Sequence, residues 1–399
     1  MQEASSEMDK NIDTSRVLFV GDFDEVIGGA EKYMLALQDY LNKNGIQTKT
    51  IAITKIAPIN HISSFGAQLF KILLDYFNPK IFFEVKKIIR EFKPDVIHLH
   101  NNVVSPISVL MALKKDYNVI FTAHDHTIIC PSNWCSNQNG KVCGGVSGAG
   151  IQCFECLPVH KLLPYYLLRK IRALEIKSKT NAIISPSIPL KEKLEKIGFS
   201  KLHHIPYFVA INEGYRPRTL TNRRNILYVG KLEKHKGIRI LIEIFSDIAK
   251  KIEDFRLIIA GSGSLENELK DKVSRSNITD KVLFVGHLRT KDLIEWYEKA
   301  DLLVIPSLWQ EQFGIVGIEA MSFGLPVIGF NVGGIPDWLK NGRTGYLIEA
   351  GDKEGMKKGI INIFSDDINY NTFSKYALED ARSYAVSNHL NKMLEVYSK

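Results

Sequence analysis

The sequence predicts an α/β protein made of two Rossmann-like domains that face one another across a cleft. Short β-rich runs alternate with amphipathic segments along the chain, which is typical of parallel strands joined by crossover helices. A polar segment without periodicity, at residues 212–225, interrupts this pattern once, and the pattern then restarts. The length of 399 residues also suits two domains of ordinary size.

The first domain is predicted over residues 16–211, behind a disordered lead-in at residues 1–15. Its first strand is Arg16–Gly21, whose sequence RVLFVG is a short apolar run that ends at glycine. A glycine-containing loop and a helix at Ala30–Asn42 follow this strand. Further strands are expected near residues 47–53, 95–100, 118–123, 181–185 and 202–205.

The second domain is predicted over residues 212–370, with the polar segment as the linker into it. Its five strand-like runs are Asn225–Gly230, Arg256–Gly261, Lys281–Gly286, Asp301–Pro306 and Leu325–Phe330. The last segment, residues 371–399, is expected to form a helix that packs back on the first domain. Ligands of open α/β sheets bind beyond the carboxyl ends of the strands, so we expect a site where the two sheet edges face one another.

The composition, with 45% hydrophobic and 24% charged residues, is typical of a soluble globular protein. No apolar run reaches the roughly 18–20 residues that span a bilayer, and the polar start lacks the apolar region of a secretory signal. A cytoplasmic location is therefore expected. The net charge of +8 suits an anionic substrate or an anionic membrane surface. A nucleic-acid partner is not expected, because no Lys/Arg block is interleaved with stacking aromatic residues.

The run from Glu311 to Glu319 is the most informative part of the second domain. Its two carboxylates lie eight residues apart, and a helix is expected to begin between them near Phe313, Gly314 and Ile315. The free N–H groups of a helix start suit a phosphate, and carboxylates accept hydrogen bonds from vicinal hydroxyls. Eight helical residues span roughly 12 Å. The run predicts a nucleotide-sugar site; two surface glutamates would be the simpler interpretation of the pair alone.

Four further residues are candidates for binding the phosphates of such a donor. Lys231 and Lys236 follow a strand and open a helix in the run GKLEKHKG. Gly28 and Gly29 join the first strand to the first helix, where glycine lets the backbone approach a phosphate closely. Solvated lysines and a plain turn are the alternatives that the local sequence leaves open.

Three histidines lie at the ends of predicted strands, beside the expected cleft. His124 follows one strand, where a neutral imidazole could assist proton movement and Asp125 could hold its tautomer; a structural histidine at the strand end is the alternative. His98 and His100 point to one face of their strand. No third metal ligand is evident near them, so we expect them to pack beside the cleft.

Longer runs carry more specific information than these single residues. They read LYVGKLEKHKG at 227–237, IAGSGS at 259–264, VLFVGHL at 282–288, ADLLVIPSLWQEQFGIVGIEAMSFGLPVIGFNVGGIPD at 300–337, NGRTGYLIE at 341–349, and more weakly GGAEKYMLAL at 28–37, PDVIHLHN at 94–101 and FTAHD at 121–125. In order and spacing they resemble the retaining glycosyltransferases of family 4, which have the GT-B fold and an E-x7-E motif. The resemblance implies an α-linked product, a nucleotide-sugar donor and no metal at the donor site.

The resemblance also implies roles for the candidate residues. It places Glu311 near the donor sugar, Glu319 on the ribose hydroxyls and His124 beside the sugar on the acceptor side. The diphosphate would be bound by Gly28, Gly29, Lys231, Lys236 and the N–H groups of Phe313, Gly314 and Ile315. His124, Glu311 and Lys236 are the residues expected to act in catalysis. Lys231 departs from the arginine usual in the family, and it lacks the bidentate fork of a guanidinium.

All five cysteines fall in one glycine-rich stretch, at residues 130–156. Thiolates that close a loop without regular structure are typical of a structural zinc site, whereas disulfides are disfavoured in a reducing cytoplasm. An iron–sulfur cluster or free thiols are the alternatives. By resemblance to family members with a cysteine-rich insertion, the expected ligands are Cys130, Cys143, Cys153 and Cys156, with Cys135 as a substitute.

Two basic amphipathic segments are expected to be helical, near residues 64–92 and 160–179. They could attach the protein to an anionic bilayer that holds a lipid-linked acceptor, or they could simply pack on their own sheet.

Together these observations predict a retaining glycosyltransferase that moves a sugar from a UDP- or GDP-sugar to a saccharide or lipid-linked acceptor. A nucleotide-sugar epimerase and a non-catalytic sugar- or membrane-binding relative are the alternatives.

Overall fold

The computed structural model describes residues 14–26, 28–57, 77–100, 106–128, 130, 159–220 and 224–398, without the side chains of residues 106, 159–166 and 168. The described residues form two α/β domains, each built on a six-stranded parallel sheet. This architecture confirms the predicted fold class. Of the predicted lead-in, only Thr14 and Ser15 are described, and the Ser15 N–H donates to Asp95 Oδ2 over 2.8 Å.

The elements of the first domain alternate between strand and helix. In chain order they are β1 (Arg16–Gly21), α1 (Gly29–Lys43), β2 (Gln47–Ala52), α2 (Ile53–Ile56), α3 (Pro79–Phe92), β3 (Val96–His100), α4 (Pro106–Ala112), β4 (Val119–Thr122), α5 (Val159–Lys179), β5 (Ala182–Ser185), α6 (Ile188–Lys196) and β6 (Leu202–His204). The strand order is β2-β1-β3-β4-β5-β6. The chain therefore reverses its direction of winding between β1 and β3, which makes this edge a switch point where ligands bind.

The second domain follows the same alternation. Its elements are β7 (Arg224–Val229), α7 (Ile238–Ala249), β8 (Phe255–Ala260), α8 (Glu266–Arg275), β9 (Val282–Gly286), α9 (Thr290–Lys299), β10 (Leu302–Ile305), α10 (Ile315–Ser322), β11 (Val327–Phe330), α11 (Ile335–Trp338), β12 (Gly345–Ile348) and α12 (Lys353–Ile363). The order β12-β11-β10-β7-β8-β9 puts the switch point between β7 and β10. The sixth strand, β12, was not predicted, because its four residues are mostly only half-buried and lack a long apolar run.

The side chains of β1 alternate between two hydrophobic cores, one on each face of the first sheet. Val17 and Phe19 belong to a large buried cluster that continues into the second domain. Leu18 and Val20 belong to a separate cluster on the opposite face of the sheet, under α3 and α4. Since successive strand residues point to opposite faces, one short apolar run supplies both, and the first of these cores joins the domains.

The predicted C-terminal helix is two helices, α13 (Asp367–Ala381) and α14 (Val386–Tyr397), separated by a 3₁₀ turn. The first packs on the second domain, where the Tyr370 hydroxyl donates to the Asp301 carbonyl over 2.9 Å. The second lies against the first domain, where the side-chain amide of Asn118 donates to the Tyr397 carbonyl over 2.8 Å. The chain thus ends on the domain in which it began.

The interdomain linker is fixed to the second domain by Arg218. Its guanidinium donates to the carbonyls of Tyr297 (2.8 Å), Ala300 (2.5 Å) and Phe323 (2.8 Å). These carbonyls lie at the C-terminal ends of α9 and α10, where backbone acceptors lack partners within the helix. One linker side chain therefore caps two helices, although the polar sequence around it predicted only a connection.

Candidate active site

The two switch points face one another across the cleft, and each contributes the start of a helix. A Cβ atom built on Gly29, the first residue of α1, would lie 4.0 Å from Ile315 Cγ2 at the start of α10. Two helix N-termini therefore converge from opposite domains. Their free N–H groups and partial positive charges suit an anion bound beside both helix starts.

The start of α10 is shaped by glycine and by Trp338. Gly314 has φ +80°, a left-handed conformation that favours glycine. The Trp338 indole N–H donates to the Phe313 carbonyl over 2.5 Å. A Cβ atom on Gly317 would lie only 2.0 Å from a ring carbon of Trp338, so that this position also requires glycine. The indole thus fixes the start of α10 by a hydrogen bond and by close packing.

One end of the motif, Glu311, is paired with a lysine of its own domain. Lys236 Nζ lies 2.6 Å from Glu311 Oε1, and both side chains are largely buried. The Glu311 carbonyl accepts from the Gly334 N–H over 2.7 Å, which fixes the loop backbone. Lys236 ends a 3₁₀ turn between β7 and α7, and Glu311 follows β10. The pair therefore spans the switch point of the second sheet.

The other end, Glu319, is paired across the cleft. Its Oε1 accepts from Lys32 Nζ, on α1 of the first domain. Its Oε2 accepts from the hydroxyl of Tyr297, on α9, over 3.0 Å. Burial and the neighbouring Glu319 carboxylate raise the pKa of Tyr297 well above its usual value, so this hydroxyl keeps its proton.

The first-domain wall of the cleft is a hydrogen-bonded group of rings. His124 is buried, with Nε2 at 2.7 Å from His100 Nδ1 and Nδ1 at 2.6 Å from the Tyr207 hydroxyl. His98 Nδ1 lies 2.7 Å from the Tyr397 hydroxyl of α14. Tyr207 also meets Phe313 of the second domain edge to face, with ring centroids 5.5 Å apart. The rings thus connect β3, β4, the C-terminal helix and the opposite wall.

Burial keeps this wall uncharged. It lowers the pKa of His124 to about 3 and that of His389 to about 4. Burial also lowers the pKa values of His98 and His100 well below the usual range, with a further contribution from neighbouring histidines. Because a buried imidazolium would have to be desolvated, these histidines are neutral at physiological pH.

Two family models match consecutive parts of the chain. "Glycosyltransferase Family 4" matches residues 27–213, and "Glycosyl transferases group 1" matches residues 216–380. Sucrose-phosphate synthase from Thermosynechococcus elongatus has the same fold, with a TM-score of 0.72 and 19% identity, over 96% of this chain and 98% of that one. The chain therefore consists largely of the two domains that these models describe, and its fold is the two-domain GT-B fold.

Two further proteins are similar to this chain. Glycogen synthase of Mycobacterium tuberculosis is 26% identical over 289 residues, which cover 69% of this chain and 62% of that protein. The chain therefore spans less than two thirds of that relative's length. Anabaena HepE, solved in complex with UDP-glucose, has a TM-score of 0.68 and 18% identity, over 96% of this chain and 99% of that one.

The fold brings most of the predicted donor residues to one cleft. Gly28, Gly29 and the Phe313–Ile315 segment lie at the two facing helix starts, and Glu311 joins Lys236. Lys231 is exposed, and its carbonyl accepts from the Tyr228 hydroxyl over 2.8 Å. For the ring nitrogens of His124 the structure gives His100 and Tyr207 as partners, whereas Asp125 Oδ1 accepts from the Thr127 N–H over 2.7 Å.

Sequence reasoning missed a second polar contact between the domains. The Gln312 side-chain nitrogen lies 2.6 Å from His126 Nδ1, and Lys193 Nζ lies 3.3 Å from His126 Nε2. Lys193 also reaches Gln310 Oε1, at 3.4 Å. Only the position of His126 two residues beyond His124 could have indicated it. The contact lies beside Glu311 and ties its loop to the first domain.

The predicted zinc site lies almost wholly outside the described residues. Of its expected ligands only Cys130 is described, half-buried against the core under α3 and α4. Cys135, Cys143, Cys153 and Cys156 fall in undescribed residues. Within the described parts of the chain, no group of three or more His, Cys, Asp or Glu side chains is arranged to hold a metal ion. The zinc site stays a prediction.

Proposed function

We propose that this protein is a retaining glycosyltransferase that moves a sugar from a UDP- or GDP-sugar to a saccharide or lipid-linked acceptor. Synthesis of a surface polysaccharide or glycolipid is the process that it would serve. The observation that carries the proposal is the Glu311–Lys236 pair beside the α10 start, opposite the start of α1. This arrangement offers a carboxylate for sugar hydroxyls next to a cation and N–H groups for a diphosphate.

The chemistry follows from the position of these groups. The N–H groups of Gly314 and Ile315, together with Lys236, would stabilise negative charge that develops on the departing diphosphate. Glu311 would accept hydrogen bonds from the sugar, and Glu319 from the ribose. Lys231, exposed at the same edge, would add charge near the phosphates. The acceptor hydroxyl would attack from the face that the diphosphate leaves, and the leaving phosphate would take its proton.

The uncharged rings of the first-domain wall would contact the sugar and the acceptor. His124 lies behind that surface with both ring nitrogens bonded within the protein. A direct role in proton movement would require it to exchange one of these bonds for one to substrate. Closure of the cleft would exclude water and limit hydrolysis of the donor.

A lipid-linked acceptor is supported by exposed apolar residues on the first domain. Leu167, Ile171 and Leu174 are exposed at helical spacing on α5, and Phe83 is exposed on α3. Both helices pack against α4 and carry basic residues.

We propose that this surface attaches peripherally to the anionic inner face of a membrane. Among the described residues no helix is long and apolar enough to cross a membrane. Cosedimentation with vesicles of 30% anionic lipid, but not with neutral vesicles, is expected.

The donor assignment can be tested by binding and by turnover. A UDP- or GDP-sugar should raise the melting temperature, since a ligand of the native state stabilises it by mass action. Glu311→Gln should abolish sugar transfer while the exposed control Glu354→Gln retains it. With an α-linked donor such as UDP-glucose, NMR of the product should show an α linkage, and a β linkage would exclude retention. No stabilisation by any nucleotide sugar would count against the whole proposal.

The same assay separates the alternatives. Conversion of the donor to an epimer without acceptor would identify an epimerase. Donor binding without any product, together with an unchanged cellular phenotype of Glu311→Ala, would favour a non-catalytic relative.

For the cysteine-rich stretch we propose structural zinc, and metal analysis of protein purified without an affinity metal should find about one zinc per chain.

A further inference from the structure

Glu319 is held by donors from both domains. Lys32 approaches one carboxylate oxygen from α1, and Tyr297 donates to the other from α9. The side chains of Lys32 and Glu319 are only 24% and 13% exposed. A solvated surface pair contributes little, but this pair is partly buried and joins elements that are 287 positions apart in the chain.

The Glu319 carboxylate has more acceptor positions than Lys32 and Tyr297 use. An ionised carboxylate offers about four acceptor positions, two on each oxygen. Lys32 uses one position of Oε1, and Tyr297 uses one of Oε2. Among the residues that the structure describes, no other side chain donates to these two oxygens, so one position on each is left, which matches a pair of vicinal hydroxyls. Two fixed donors also hold the carboxylate in one orientation, so little conformational freedom is lost when a ligand binds.

Lys32 also lies next to the phosphate end of the cleft. Its backbone N–H donates to the Gly28 carbonyl over 3.1 Å, within the first turn of α1. The ammonium group therefore stands between the helix start that faces Ile315 and the carboxylate of Glu319. It offsets the negative charge of Glu319 where an anionic diphosphate would otherwise be repelled.

We propose that Lys32 is a positioning residue for the nucleotide: it orients and neutralises Glu319 from the opposite domain, and so couples recognition of the ribose hydroxyls to closure of the cleft. The inference rests on the proposed function, because ribose is the ligand assigned to Glu319. In the open cleft Glu319 would keep only Tyr297, and its hold on the ribose would weaken. Ribose recognition thus becomes a property of both domains.

The test compares a nucleoside diphosphate with its 2′,3′-dideoxy counterpart by titration calorimetry. UDP or GDP is used, whichever binds the wild-type protein. For wild type, loss of the hydroxyls should weaken binding by about 30-fold. Lys32→Met should weaken binding of the ordinary nucleotide about tenfold and reduce the hydroxyl effect to a few-fold. Lys32→Arg, which retains the charge, should recover most of both.

Controls separate positioning from folding. Lys43→Met removes a lysine from the other end of α1, where it forms an exposed pair with Asp39, and should leave both affinities unchanged. If Lys32→Met lowers the yield of folded protein, Lys32→Gln provides the same comparison. In turnover assays the Lys32 variants should raise the KM for donor more than they lower kcat.

The outcomes separate this inference from the proposed function. A wild-type protein that binds neither UDP nor GDP would overturn the proposed function. If wild type binds the nucleotide but Lys32→Met retains the same affinity and the same hydroxyl effect, the inference is wrong while the function stands. A uniform loss for both nucleotides would also overturn it, because Lys32 would then act on phosphate alone.

Discussion

The first domain lines the cleft with buried, neutral rings, whereas the second domain lines it with carboxylates held in ion pairs. His98, His100 and His124 form the first wall, which we call the neutral wall. Glu311, paired with Lys236, and Glu319, paired with Lys32 of the first domain, form the second, which we call the charged wall. Both walls stand at the carboxyl edge of a six-stranded parallel sheet. The backbone arrangement is shared, so the side chains alone make the two walls different.

The difference indicates how the two domains would divide the proposed reaction. A departing diphosphate needs cations and N–H donors, and the second wall offers them beside the α10 start. A sugar and its acceptor hydroxyl need shape and hydrogen bonds without competing charge. Neutral imidazoles and phenols meet that need, since burial keeps them uncharged. We infer that the charged wall holds the leaving group and the neutral wall holds the groups that are joined.

Lowering the pH should affect the difference between the two walls most strongly, because it would protonate the buried histidines of the neutral wall and so destabilise the fold. The folded-state pKa of His124 is about 3 and that of His389 about 4, below the unfolded value near 6.5. Between these values the unfolded chain binds more protons than the folded one, so the free energy of unfolding falls as pH falls. Each such histidine contributes up to about 1.4 kcal/mol per pH unit. Urea unfolding at pH 7.5, 6.5, 5.5 and 4.5 measures the slope.

One carboxyl group opposes this trend. Burial raises the pKa of Asp301 to about 6, so the folded state binds the extra proton between about pH 6 and 4 and gains stability there. With several histidines acting against it, the net loss should amount to several kcal/mol by pH 4.5. A free energy of unfolding that stays constant from pH 6.5 to 4.5 would mean that the histidine wall is not buried in solution.

Removal of a cation should have the next largest effect, on activity. Lys236→Met would leave Glu311 without this lysine partner and would remove one positive charge from the diphosphate site. We expect kcat/KM to fall about 100- to 1,000-fold, or about 2.7–4 kcal/mol. The exposed Lys231 gives the comparison within the same segment, and Lys231→Met should cost about tenfold. Equal losses for the two variants would show that the Glu311 pair has no special role.

Arg218 should have a smaller effect, on stability. It caps α9 and α10, and α10 begins at the phosphate end of the charged wall. Arg218→Met should lower the free energy of unfolding by about 2–3 kcal/mol, because several carbonyls lose a charged donor. Arg216→Met, at an exposed linker position, should change it by less than about 0.5 kcal/mol. Urea midpoints of the two variants decide; equal midpoints would contradict the capping role.

The sequence predicted the sheets and the charged wall better than the neutral wall. Strands such as β1, which is buried after Arg16, and β10, which is buried throughout, are apolar runs that the local sequence reveals. Glu311 and Lys236 lie within motif-like runs on either side of one switch point. The partners of His124 could not be read in this way, because Tyr207 lies 83 positions further along the chain. The Lys32–Glu319 pair spans 287 positions, so only the assembled fold brings it together.

Elements that depend on tertiary contacts were missed for the same reason. The strand β12 has four residues, and its place is set by pairing with β11. The break between α13 and α14 occurs where the chain leaves one domain for the other, at a 3₁₀ turn. No glycine or proline marks this break, so helix periodicity alone continued through it.

The smallest expected effect tests whether the neutral wall is used in the reaction or only fills space. Tyr207→Phe keeps the ring between His124 and Phe313 but leaves His124 Nδ1 without its hydroxyl partner. Tyr33→Phe is a matched control, because its hydroxyl lies 3.0 Å from a different buried histidine, His389. Each variant should lose about 1 kcal/mol of stability, since each leaves one buried ring nitrogen unpaired. Only Tyr207→Phe should also lower kcat, by about three- to tenfold, because only it releases the ring nearest the cleft. Equal kcat values for the two variants would mean that the orientation of His124 does not matter to the reaction, and the wall would then serve packing alone.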